Sequence, residues 1–118
     1  MSETHSGGQA AVAALEAEAT QYVFGLIGSA TMELFDALYG SSVDLIAVHD
    51  ERTGTHMADG YARASGRAGV VLAGQNGPGA TNLVTGLAQA KAAYSPVIAL
   101  AGMLSSGHVH RDAFQEVD

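Results

Sequence analysis

Four short apolar runs constrain this chain more than any other feature. Residues 22–27, 43–49, 69–73 and 97–101 are nearly continuous in apolar character rather than alternating. A strand with one wet face alternates with a period of two, so runs of this kind indicate strands covered on both faces. Stretches of helical period separate them. Residues 9–21 place Val12, Leu15 and Ala19 at helical spacing, and Ser29 is placed to cap a second helix through Met32, Leu34, Phe35 and Leu38 to Gly40. A third helix is expected over about 51–65, with Met57, Ala58, Tyr61 and Ala62 on one stripe and Gly66 as its stop. Pro78 suits the first position of a fourth, running to about Tyr94 before Ser95-Pro96 breaks it. Helix alternating with doubly covered strand gives an α/β class: a three-layer α/β/α sandwich with a doubly wound, mainly parallel sheet.

Composition supports one packed unit. The 118 residues suffice for a single domain, and a chain 47% hydrophobic and 14% charged can bury a core. Five Lys and Arg against twelve Asp and Glu leave a formal charge of −7. Arg52, Arg63, Arg67, Lys91 and Arg111 are scattered, so no basic patch for nucleic acid is expected. The absence of cysteine removes disulfides, thiolate nucleophiles and Cys-based zinc sites. No apolar run approaches bilayer-spanning length, and the N-terminus lacks the basic and apolar regions of a secretory signal. The expectation is a cytoplasmic protein with a loose polar tail over residues 1–8 and one domain over 9–118.

In doubly wound sheets, ligands collect beyond the carboxyl ends of the strands. Gly28-Ser29, Asp50-Glu51, Gln75-Asn76-Gly77 and the segment after Ala101 have that position. Residues 74–81, G-Q-N-G-P-G-A-T, nearly fit the phosphate-binding pattern GxxxxGK[ST]. Ala80 stands in place of its lysine, however, and Pro78 removes an N–H donor. Glu51 lies at a strand-to-helix switch, either as a first-turn helix acid beside Asp50 or as a functional carboxyl at the mouth of the sheet. His56 does not complete an HExxH motif with it, and His108 and His110 lack a third ligand at matching spacing, so no metal site is expected.

Four segments in order carry a family resemblance. His49-Asp50-Glu51-Arg52 leads into His56-Met57-Ala58-Asp59-Gly60-Tyr61-Ala62-Arg63; Gly77-Pro78-Gly79-Ala80-Thr81-Asn82 and Ala113-Phe114-Gln115-Glu116 follow. Over roughly residues 10–118 the chain resembles the N-terminal, pyrimidine-binding domain of thiamine-diphosphate enzymes of the acetolactate synthase group. Ile27-Gly28-Ser29-Ala30, Gln75-Asn76-Gly77-Pro78-Gly79 and the Phe114-Gln115-Glu116-Val117-Asp118 ending are also similar to sulfoacetaldehyde acetyltransferases.

The resemblance implies a transferase or lyase that decarboxylates a 2-oxo acid and joins the remaining fragment to an acceptor. In the family, a carboxyl hydrogen-bonded to N1′ of the aminopyrimidine promotes the 4′-imino tautomer that takes the C2 proton; Glu51 matches that carboxyl. Pro78, Gly79 and Asn82 match the turn beside the pyrimidine, Gly28 the turn near the cofactor where a side chain would collide, and Phe114 and Gln115 the residues facing C2. Gln115 is thereby implied as a second catalytic residue. The family's diphosphate and Mg²⁺ site, and the middle domain that carries FAD in acetolactate synthase, have no counterpart here. The chain is therefore expected to be truncated on its C-terminal side and inactive alone. The family forms its sites between two chains, which implies a homo-oligomer, with Met57, Ala58, Tyr61, Leu83, Leu87 and Ala88 expected to supply apolar interface. Two alternatives stand beside this: a sulfoacetaldehyde acetyltransferase-like enzyme, and a non-catalytic half-domain that only folds and self-associates.

Overall fold

The computed structural model describes residues 4–117. The chain runs α1 (Gly7–Ala17), β1 (Tyr22–Gly25), a 3₁₀ turn (Ser29–Thr31), α2 (Met32–Tyr39) and β2 (Asp44–Ala47). It continues through α3 (Glu51–Ser65), β3 (Gly69–Leu72), α4 (Pro78–Ala92) and β4 (Val97–Leu100). All strand pairs are parallel, in the order β2-β1-β3-β4.

Alternating residues of the strands explain the two covered faces. Val23, Val70 and Leu72 point one way and pack with Val12 and Leu15 of α1 and Phe35 and Leu38 of α2. Phe24, Val71 and Ala73 point the other way and pack with Ala58 of α3 and Leu83 of α4. Val23, Val70, Val71 and Leu72 are wholly buried, each such side chain contributing about 1.5–3 kcal/mol relative to exposure. This is the three-layer α/β/α sandwich the apolar runs imply.

Local chemistry sets the helix ends. Asp50 caps α3 by accepting the Arg52 N–H at 2.7 Å, and Gly66 ends it in the left-handed region at φ 71°. Pro78 opens α4 as expected. Two expectations need correction. α1 begins at Gly7, because Ser6 and Gln9 form a reciprocal capping box at the helix start; it ends at Ala17, and Ala19 turns left-handed at φ 53°. Of the polar tail expected over 1–8, residues 1–3 lie outside the described residues, while Gly7 and Gly8 are helical. Ser29 does not cap α2: it starts the 3₁₀ turn, and its hydroxyl donates to Gln75 Oε1 at 2.7 Å.

Helices α3 and α4 meet along one polar and small-residue seam. A Cβ added at Gly86 would stand 2.5 Å from Thr55 Cβ, so these backbones approach as only glycine allows. One helical turn further along α3, the buried Asp59 accepts two bonds from Arg63, at 2.9 and 2.8 Å, and one from Gln89 of α4 at 2.8 Å. The Arg63 guanidinium, then the Gln89 amide, hold the Asp59 carboxyl well below the usual carboxylate range.

Candidate functional site

The sheet order makes β1 and β3 neighbours whose following segments lead to opposite faces, α2 on one and α4 on the other. That divergence creates a crevice at the carboxyl end of the sheet. Here its floor is closed by backbone. A Cβ at Gly28 would stand 1.8 Å from the Gly74 carbonyl oxygen, and one at Gly74 would stand 2.5 Å from the Leu26 oxygen. The Thr31 hydroxyl also donates to the carbonyls of Ala73 and Gly74, at 3.1 and 3.3 Å. A side chain at position 28 would thus collide first with the chain itself.

Glu51 enters this crevice from the first position of α3. It is only 4% exposed, whereas its neighbour Asp50 faces outward as the cap and lies 3.5 Å from Arg52. Position therefore separates the two acids: Asp50 does the work of a helix acid, and Glu51 turns inward. Glu51 Oε1 accepts the Gly74 N–H at 3.1 Å, and Oε2 accepts from Asn82 Nδ2 at 3.1 Å. A carboxylate offers roughly four lone-pair sites, so two bonds leave capacity for a further donor. The Gly79 backbone lies beside it, with the position of an added Cβ 2.9 Å from Oε1. A planar donor can approach the carboxyl where a side chain at Gly79 would otherwise stand.

The last segment docks on the same end. Asn76, 6% exposed, donates through Nδ2 to the carbonyls of Phe114 at 3.2 Å and Gln115 at 3.1 Å. Gly77 adopts φ 55°, and a Cβ there would stand 1.8 Å from the Gln115 oxygen. Gln115 is half-buried and left-handed at φ 60°, while Phe114 is 78% exposed. The Glu116 carboxylate accepts from the backbone N–H groups of His110, Arg111 and Ala113. Those bonds, the His110 N–H first, lower its pKa.

The structure thus brings Gly28, Glu51, Gly79 and Asn82 around Gly74, seats the Phe114 and Gln115 carbonyls on the Asn76 amide, and sets the Gln115 oxygen against Gly77, next to Pro78. Sequence reasoning gave no role to the Gly74 N–H, the Asn76 amide or the Thr31 hydroxyl. A buried amide between a strand and a helix signals Asn76, but its partners lie 38 and 39 residues away. His108 Nδ1 pairs with Ser105 Oγ at 2.7 Å, and the described residues contain no group of three or more His, Asp or Glu suited to a metal ion.

Of the six apolar residues expected at an interface, Ala58 and Leu83 lie in the core instead, Tyr61 and Leu87 are half-buried against it, and Met57 and Ala88 are exposed. Met57 and Val84 remain 37% and 61% exposed. No helix among the described residues is long and apolar enough to cross a membrane.

The chain is 50% identical over 112 residues to a probable acetolactate synthase large subunit of Methanocaldococcus jannaschii, covering 95% of this chain and 19% of that protein. It is 46% identical over 113 residues to the acetolactate synthase isozyme 2 large subunit of Escherichia coli, covering 96% and 20%. With the acetolactate synthase large subunit of Buchnera aphidicola from Schizaphis graminum it shares 42% over 117 residues, covering 98% and 20%. The chain spans about a fifth of the length of these curated relatives. The model of the thiamine pyrophosphate enzyme N-terminal TPP binding domain matches residues 5–118, and the chain belongs to that family.

Proposed function

We propose that this chain supplies the aminopyrimidine-binding part of a thiamine-diphosphate site, in an enzyme that decarboxylates 2-oxo acids and ligates the product, as an acetolactate synthase does. The observation that carries the reading is Glu51: a buried carboxyl held from two sides, with free acceptor capacity and a glycine-wide gap beside it. The residues fit the cofactor's ring. Glu51 holds a proton at N1′, Asn82 and the Gly74 N–H fix the carboxyl's orientation, and Pro78 and Gly79 let backbone lie against the ring face. Gly28 keeps the crevice floor narrow. Phe114 and Gln115 would lie toward the reacting carbon, where the Gln115 amide would be placed to hydrogen-bond a substrate fragment. When bound, the cofactor would supply the nucleophilic chemistry toward the 2-oxo acid that the side chains themselves lack.

The same reading assigns 9–118 as the pyrimidine-binding domain and leaves the diphosphate, its Mg²⁺ and any FAD to parts of a longer protein or a partner. It also makes the assembly a cytoplasmic homo-oligomer whose site is completed by a second chain. Light scattering tests the assembly, and a monomer at high concentration contradicts it. The site is tested in the complete enzyme, with the remaining domains joined or supplied in trans. Glu51→Gln should lower turnover about 10²–10⁴-fold with a modest loss of cofactor affinity, the range for a general acid–base group. Asp50→Asn, altering only the exposed cap, should leave turnover nearly intact. Equal effects of the two substitutions would refute the assignment.

A further inference from the structure

The segment that carries Phe114 and Gln115 has neither helix nor strand to hold it: residues 101–117 are turns and irregular backbone. Its order must come from side chains and close approaches. Within the segment, the Glu116 carboxylate gathers three backbone N–H groups, and the Glu116 N–H returns to the Ala113 oxygen at 2.9 Å. That closes the loop on itself but does not attach it to the sheet. Its hydrogen-bonded attachment among the described residues is Asn76, which lines a cavity of about 290 Å³ together with Gly77, His110, Glu116 and Val117.

An amide nitrogen carries two N–H groups in one plane, a geometry suited to two successive carbonyls. Asn76 uses both, on Phe114 and Gln115. The match depends on Gln115 holding φ 60°, a conformation a non-glycine side chain disfavours, and on Gly77 lacking a Cβ where the Gln115 oxygen lies. Left-handed backbone at a non-glycine residue persists only where its surroundings impose it. We propose that Asn76 is a positioning residue, whose two amide donors seat Phe114 and Gln115 against the Gly77-Pro78-Gly79 turn. The functional meaning rests on the site proposed above. The seating itself is read without cofactor, so either idea can fail alone.

The test is backbone ¹⁵N relaxation and amide exchange of Phe114, Gln115 and Glu116 in the unliganded chain. Asn76→Asp keeps size but places an ionised acceptor against two carbonyl oxygens. At neutral pH the loop amides should move to flexible values and lose about tenfold or more in exchange protection, while amides of α3 and α4 keep theirs. At about pH 4.5 a carboxyl facing two carbonyls regains its proton and becomes a donor, and order should return in part. The titratable groups lining the shared cavity are Glu116 and His110, with Glu51 beyond Gly74; the parent chain over the same pH range supplies their contribution. A role in volume alone predicts no such reversal with pH. Asn76→Ser removes the double donor without adding charge, and reads the same amides if the aspartate variant does not fold. Loop amides as ordered as the parent's in either folded variant, or disorder in Asn76→Asp that acid does not relieve, would overturn the proposal.

Discussion

Gly86 and Gly60 are both interior helix glycines, yet the structure assigns Ala opposite effects at the two positions. At Gly60 a Cβ meets nothing within 4 Å, so Gly60→Ala should raise stability by about 0.5–1 kcal/mol through the lost flexibility of the unfolded chain. At Gly86 the new Cβ would stand 2.5 Å from Thr55 Cβ and 2.6 Å from its Cγ2. Thr55 is wholly buried and branched at Cβ, so it cannot swing away. Carbon atoms need roughly 3.5–4.0 Å, so α3 and α4 must part by about 1 Å. Overpacking of this kind costs about 1–3 kcal/mol, offset by about 1 kcal/mol of helix propensity. The same separation stretches the 3.1 Å bond between Glu51 and Asn82 beyond hydrogen-bonding range, losing about 1.5–3 kcal/mol if it breaks outright. Gly86→Ala should therefore destabilise by about 1.5–5 kcal/mol, the upper part of the range applying if the Glu51–Asn82 bond is lost outright. Urea unfolding followed by circular dichroism, with parent and both variants side by side, gives the two differences directly. Gly86→Ala as stable as Gly60→Ala would refute the close approach on which the seam rests.

Acid should act through Asp59. Its folded pKa is depressed, so its stabilisation is complete above the unfolded value near ~3.9 and is lost as pH falls below it. The stability gap between the parent and Asp59→Asn, measured by urea midpoints, should be widest near neutrality and narrow steadily as pH falls below about 4. Gly28→Ala, forcing Cβ onto the Gly74 oxygen, should fall at or beyond the upper end of the roughly 1–3 kcal/mol overpacking range, read as a lowered melting temperature. The isolated chain should give no stoichiometric heat with thiamine diphosphate and Mg²⁺ in calorimetric titration, because its five basic residues are scattered and its Gly74 loop lacks a lysine. Tight binding would reopen that loop as a phosphate site.

The fold was legible wherever the information is local. Continuous apolar runs mark all four strands, although every paired segment stops one or two residues short of the end of its run. Single ladder bonds continue past them, as from the Ala73 N–H to the Leu100 oxygen at 2.9 Å. Asp50, Gly66 and Pro78 fix helix ends because capping and φ preference act within a few residues. The start of α1 was equally local, since Ser6 and Gln9 have capping-box spacing, but the adjacent glycines read as tail. The site was legible only as a set of loops at one end of the sheet. Which acid of Asp50-Glu51 turns inward depends on the Gly74 N–H, 23 residues away, and on Asn82, 31 away. Nothing in helix or strand periodicity encodes those partners. Ser29 shows the same limit: its local signature is a cap, and its hydroxyl is instead taken by Gln75.

The most direct test of the central claim is the rate at which the C2 proton of bound thiamine diphosphate exchanges with deuterium in the complete enzyme, followed by NMR after rapid quench. If Glu51 is the carboxyl that holds a proton at N1′, Glu51→Gln should slow exchange by about 10²–10⁴-fold, or roughly 3–5 kcal/mol of barrier. Asp50→Asn should exchange at nearly the parent rate. Fast exchange in Glu51→Gln with slow exchange in Asp50→Asn would place the function on the other carboxylate. Parent rates in both would contradict the assignment of Glu51 to the aminopyrimidine.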